Sequence, residues 1–202
     1  MKGVCSLVLL LLVTNAFALS DKEIREAYAK SYRYEKTENY EDAIKSLLPV
    51  LKDYPETYTV NVRLGWLYYL NKKYANSLEH YTKAMKITPT SLEAKEGYIL
   101  PLLAQDRYQQ AEEEAFKIIK IDHYNYYGNM RFAYALRMQK KYDEAEKINL
   151  KMLALYPIDV AFLSELALTK HAQGDTKRAV DIFYDVLTLD PENVTAKNFL
   201  RK

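Results

Sequence analysis

Five residues at one spacing carry the chemistry this sequence offers. Tyr32, Trp66, Leu100, Tyr134 and Leu168 stand 34 residues apart, and every one is large and apolar. Such side chains bind by burial, each contributing about 1.5–3 kcal/mol when removed from water. Two or three together supply about 3–9 kcal/mol gross, a large part of what micromolar affinity needs, which is about 8 kcal/mol net after the costs of association. Catalytic chemistry has no comparable pattern. His80, His123 and His171 fall at different places along the chain, which leaves neither a zinc site nor an acid–base pair. Glu112, Glu113 and Glu114 are consecutive, so a helix spreads their charges around itself instead of converging them on a metal. With no nucleophile motif and no phosphate loop, the sequence reads as non-enzymatic and without a cofactor.

Each member of the row has partners four residues before it and three after. The resulting trios are Tyr28, Tyr32 and Glu35; Val62, Trp66 and Tyr69; Glu96, Leu100 and Leu103; Met130, Tyr134 and Arg137; Ser164, Leu168 and His171. Steps of four and three place each trio on one stripe of a helix. The elements that carry these stripes are marked at the same period. Tyr40, Tyr74, Tyr108 and Tyr142 are 34 residues apart with Thr176 next, and Pro55, Pro89, Pro157 and Pro191 keep the step, with His123 where a proline is missing. Ala43, Ser77, Ala111, Ala145 and Ala179 each follow three residues after the first of these marks. A fixed period with internal detail denotes a supersecondary unit that cannot bury its own apolar face and stacks on its neighbours.

The second unit is the clearest. Leu64-Gly65, Tyr68, Tyr74, Tyr81, Ala84 and Pro89 resemble the tetratricopeptide repeat (TPR), and the fourth and fifth units repeat the pattern with Phe132-Ala133, Ala145, Leu166-Ala167, Ala179, Phe183 and Pro191. The resemblance implies an all-α fold: a right-handed α-solenoid of five helix–turn–helix units at about 22–55, 56–89, 90–123, 124–157 and 158–191. The tail at 192–202 then reads as a capping helix, with Phe199 and Leu200 covering the last unit. Ser31, Gly65, Ala133 and Ala167 sit where paired helices approach closely. The third unit departs from this: Ile99 occupies the small position and Pro101 falls inside the first helix. A bend or local repacking is expected there, since an interior proline removes a hydrogen bond and crowds the preceding turn.

In TPR proteins the stripe described above lines a concave groove that holds extended peptides or partner helices. The resemblance therefore implies a protein-binding groove formed by Tyr28, Tyr32, Val62, Trp66, Tyr69, Leu100, Leu103, Met130, Tyr134 and Leu168. Some members hold a terminal carboxylate with lysine, arginine and asparagine. None of these types occupies the middle row here, so the expected ligand is an apolar or aromatic-rich segment of a protein or peptide partner. Trp66 is expected to be an exposed anchor. Three alternatives stand beside this. Neighbouring first helices would bury the row against each other; solenoid ends would self-associate; or the tyrosines and Trp66 would stack on the sugar rings of a polysaccharide.

Met1-Lys2-Gly3, the apolar run Val4 to Val13, and Ala16-Phe17-Ala18 read as a secretory signal peptide over residues 1–18, too short in its apolar part to span a bilayer. Cleavage would remove Cys5, the only cysteine, and leave a thiol-free chain suited to an oxidising compartment. The expected location is exported, most simply periplasmic, with no membrane insertion after cleavage and a role in an envelope assembly, secretion or polymer-export complex. Loss of Lys2 would take the basic residues from 29 to 28 against 27 acidic ones, a balance that gives no reason to expect nucleic acid as a partner. Ser20 and Glu23 have the spacing of a capping box that would start the first helix.

Overall fold

The computed structural model describes residues 18–201; apart from Ala18, the export signal read over residues 1–18 lies outside them. The described residues form eleven helices and no strand. Five helices open the successive units: α1 (Asp21–Lys36), α3 (Tyr58–Leu70), α5 (Leu92–Leu103), α7 (Tyr126–Met138) and α9 (Val160–Ala172). Their partners are α2 (Tyr40–Asp53), α4 (Tyr74–Ile87), α6 (Tyr108–Ile121), α8 (Tyr142–Leu153) and α10 (Thr176–Leu189), and α11 (Val194–Leu200) closes the series. Each helix packs on the next, and the first helices α3, α5, α7 and α9 also touch one another in sequence. The chain is an α-solenoid with the first helices on its inner side.

Local chemistry sets these boundaries. The Ser20–Glu23 capping box is formed at the start of α1, with each side chain bonded to the other's backbone N–H. Within every unit the first helix ends in a left-handed residue, at Glu38, Lys72, Asp106, Lys140 and Gly174. Around each, a pair of backbone bonds closes the helix end, as in Glu38 N–H to the Glu35 carbonyl and Asn39 N–H to the Tyr34 carbonyl. This satisfies carbonyls that would otherwise lack partners. Only the last of the five is glycine, although L side chains crowd the backbone at positive φ. Lys140 is exposed at φ 64°, so Lys140→Gly is expected to stabilise the fold by about 1 kcal/mol, read as a higher urea midpoint.

Between units the proline ladder marks a repeated turn. The N–H of Thr57, Ser91, Asn125, Asp159 and Asn193 each donates to the carbonyl three residues back. Pro55, Pro89, Pro157 and Pro191 occupy the second turn position, where a fixed φ is favourable, and His123 fills the same place without altering the turn. A side chain in the following helix fastens the turn in three units. Asn61 donates to the Pro55 carbonyl at 2.9 Å, Lys95 to that of Pro89 and Asn129 to that of His123 at 3.0 Å.

The bend expected at Pro101 takes the form of repacking. Helix α5 runs unbroken from Leu92 to Leu103 through Pro101, and α2 likewise runs through Pro49, which the sequence reading passed over. Paired positions on the two helices of a unit divide their volume. Gly65 faces Tyr81, whose Cδ2 would stand 2.9 Å from an added Cβ, and Ser31 and Ala167 sit at the position matched by Leu47 and Phe183. The third unit exchanges the sizes: Ile99 is on the first helix and Ala115 on the second, both fully buried in one cluster with Leu102, Ala111 and Ile118. The glycine of this unit lies two residues earlier, at Gly97, where any Cβ would collide with the Tyr81 ring reaching across from α4. Ala43, Ser77, Ala111, Ala145 and Ala179 are all fully buried, as close approach of the second helices requires.

Candidate protein-binding groove

The inner faces of the first helices enclose a series of adjoining hollows. One of about 360 Å³ is lined by Tyr28, Tyr32, Val62 and Trp66. A second of about 210 Å³ shares Val62 and Trp66 with it and adds Leu100, and a third of about 420 Å³ shares Leu100 and adds Tyr69, Leu103, Met130 and Tyr134. Nine of the ten residues picked out from the sequence therefore line one continuous furrow from α1 to α7. Leu168 does not join it. That side chain lies in a separate hollow of about 480 Å³ with His171, Tyr184, Phe199 and Leu200, because α11 is short and covers the end of α9 and α10 only in part.

The row is not buried between neighbouring first helices. Tyr32 is 52% exposed, and the other groove residues are half-buried. Trp66 differs from the exposed anchor expected of it. Its ring is half-buried, and its indole N–H donates to the Glu35 carboxylate at 2.6 Å. The opposite oxygen of Glu35 holds the Arg63 guanidinium at 2.5 Å, and that guanidinium lies 3.8 Å above the Tyr32 ring. Arg137 pairs with Glu165 through two bonds of 2.6 and 3.1 Å. Burial pushes the Glu165 carboxyl above its ordinary range, and Arg137 opposes that shift. The walls thus contain charge, but the charges are largely paired and desolvated, so they fix the shape of the groove.

Several groove residues lie outside the stripe: Tyr58, Arg63 and Glu93 line the first hollow, and Tyr127 and Arg131 join the stripe residue Glu96 in lining the second. Burial lowers the Arg131 pKa, Glu96 counters it, and one guanidinium nitrogen has no hydrogen-bond partner among the described residues. Two of these positions, Arg63 and Arg131, belong to one repeat series, Ala29, Arg63, Gly97, Arg131 and Glu165, whose chemistry changes from unit to unit. The tyrosines that open the second helices also reach the groove: Tyr74 packs 6.2 Å from Tyr69, and Tyr108 packs 6.3 Å from Tyr134. The Tyr108 hydroxyl donates to the Asp106 carboxylate, which pushes its pKa up to about 12. Tyrosine hydroxyls also tie first helices to the following unit. Tyr58 bonds Ser91 at 2.6 Å and Tyr126 donates to Asp159 at 3.0 Å, both partners being N-caps.

The three histidines are separate, with His80 buried and His123 and His171 exposed. Among the described residues no group of three or more histidine, cysteine, aspartate or glutamate side chains is placed to hold a metal ion, and no helix is long and apolar enough to cross a membrane.

Comparison with known proteins places this geometry. A family model of the tetratricopeptide repeat matches residues 28–92. No curated protein matches the chain. Among solved structures, a thermophilic TPR protein of Thermus thermophilus superposes with a TM-score of 0.72 at 15% identity over 88% of this chain and 97% of its own. A MamA chain from Desulfovibrio magneticus gives 0.73 at 16% identity, over 88% and 99%. YrrB, described as a TPR protein with an unusual peptide-binding site, gives 0.66 at 12% identity over 90% and 94%. At these identities the likeness is one of fold.

Proposed function

Because this chain is a tetratricopeptide-repeat protein, we propose that it is a non-catalytic scaffold whose inner groove holds an apolar or aromatic-rich segment of a partner protein. The observation that carries this reading is the continuity of the furrow. Tyr28, Val62, Trp66, Leu100, Met130 and Tyr134 come from four units and line adjoining hollows while remaining open to solvent. A row of large apolar side chains left accessible along one concave face is suited to burial by a partner. The run from Val4 to Val13 followed by Ala16-Phe17-Ala18 supports export, and an oxidising envelope compartment suits a chain whose only cysteine is Cys5. Participation in an envelope assembly or secretion complex is the corresponding process.

Capture of an envelope partner by the immobilised protein tests this. Trp66→Ala combined with Tyr134→Ala is expected to lower captured partner at least tenfold while far-ultraviolet circular dichroism stays unchanged. Equal capture by the folded double variant would remove the groove from the binding mechanism.

A further inference from the structure

The charges around the first hollow do not balance. Arg63 is committed: it is paired with Glu35, bonded to the Ser31 hydroxyl, and its side chain is only 8% exposed. Both oxygens of Glu35 are in use, one by Arg63 and one by the Trp66 indole. At the second hollow, Glu96 accepts a bond from Asn125 at 2.9 Å and lies near enough to Arg131 to favour its charged form. Glu93 remains. This residue lines both hollows, its carboxylate accepts the Tyr58 hydroxyl at 3.0 Å, and it has no ion-pair partner among the described residues.

Tyr28, Tyr32, Tyr58 and Trp66 line the same hollow as Glu93. Aromatic faces attract cations, and the Arg63 guanidinium above Tyr32 shows one such face already used in this way. An apolar side chain seated here would cover Glu93 and strip water from an unpaired charge, which is costly. An acidic side chain would be repelled. We propose that this hollow receives a lysine side chain of the bound segment, its methylenes against Tyr28 and Trp66 and its ammonium against Glu93 and the tyrosine faces. The inference rests on the groove being the binding face. It adds that the partner segment is basic at the point where it crosses α1 and α3 and apolar beyond it.

The chain has a single tryptophan, and that residue lines the hollow, so its indole N–H resonance reports on the site directly. N-acetyl-lysine methylamide and N-acetyl-norleucine methylamide, matched in length and differing in the ammonium, are titrated against the full chain. The lysine probe is expected to shift the resonance with about tenfold tighter apparent affinity. Glu93→Gln, which retains an acceptor for Tyr58, should reduce the lysine probe to the norleucine level and leave norleucine unchanged. Equal affinities, a lysine preference that survives Glu93→Gln, or no shift with either probe would each overturn the cation site. Partner capture with the Trp66 and Tyr134 double variant remains a separate measurement, so loss of the cation site leaves the groove reading to its own test.

Discussion

Ile99→Ala is expected to destabilise the fold by about 2–5 kcal/mol, the range for truncating a fully buried isoleucine. The physical reason is specific to the third unit. In the second and fifth units the first helix is small and the second helix large, as Gly65 with Tyr81 and Ala167 with Phe183. The third unit reverses this with Ile99 and Ala115, so alanine at 99 leaves both sides of the interface small and opens a cavity. Ala115→Leu in the Ile99→Ala background supplies the volume from the other helix, as Leu47 does in the first unit, and should recover more than half of the loss. Ala115→Leu alone should cost about 1–3 kcal/mol through overpacking. Urea unfolding of the three variants measures the coupling. Strict additivity of the two substitutions would show that these positions do not share volume.

The exchange also explains what the sequence revealed and what it concealed. Periodicity located every helix pair, because the tyrosine, alanine and proline marks recur in residues whose roles do not depend on context. Ile99 and Pro101 looked like disruptions since each was judged against its own row. Only the matched row on the second helix, with Ala115 in it, shows that in the third unit the large and small members have changed sides. The left-handed residues were illegible for a different reason. Glu38, Lys72 and Lys140 carry no turn signature, and backbone bonding imposes their conformation.

In the groove, counting by 34 placed nine residues along one furrow because a stripe on identical helices transfers directly. Leu168 escaped because the count takes no account of where the solenoid ends. Glu35, Glu96 and Arg137 fell on the stripe, but the partners Arg63 of Glu35 and Glu165 of Arg137 escaped because each pair joins different repeat series, and no single period contains both. Trp66 was misjudged for the same reason: the Glu35 carboxylate that holds its indole belongs to the neighbouring unit.

Stability is expected to fall by about 3 kcal/mol as pH is lowered from 6.5 to 4, through a single histidine. His80 is 5% exposed, stacks on Tyr68 at 5.3 Å, and bonds Asn61 through Nδ1 at 3.0 Å. The Asn61 amide nitrogen already donates to the Pro55 and Thr57 carbonyls, so its oxygen faces His80 and Nδ1 is the donor of a neutral ring. Burial, with a smaller contribution from Lys83 and against the pull of Glu79, lowers the His80 pKa from 6.5 to about 4. Above pH 6.5 neither state binds the proton and the stability is complete. Between 6.5 and 4 the unfolded chain binds it and the folded chain does not, so stability declines as pH falls. The repeat itself supplies the control. Two units on, Ile148 stands at the His80 position and the oxygen of Asn129, the counterpart of Asn61, has no partner among the described residues. His80→Ile should reproduce that arrangement at a cost of about 1–3 kcal/mol at neutral pH, the penalty for leaving the buried Asn61 oxygen without its donor. Urea unfolding from pH 8 to pH 4 should then show the variant declining less steeply than the wild type, by up to about 1.4 kcal/mol per pH unit. Parallel curves for the two proteins across this window would mean that His80 takes up its proton equally readily in the folded and unfolded chains.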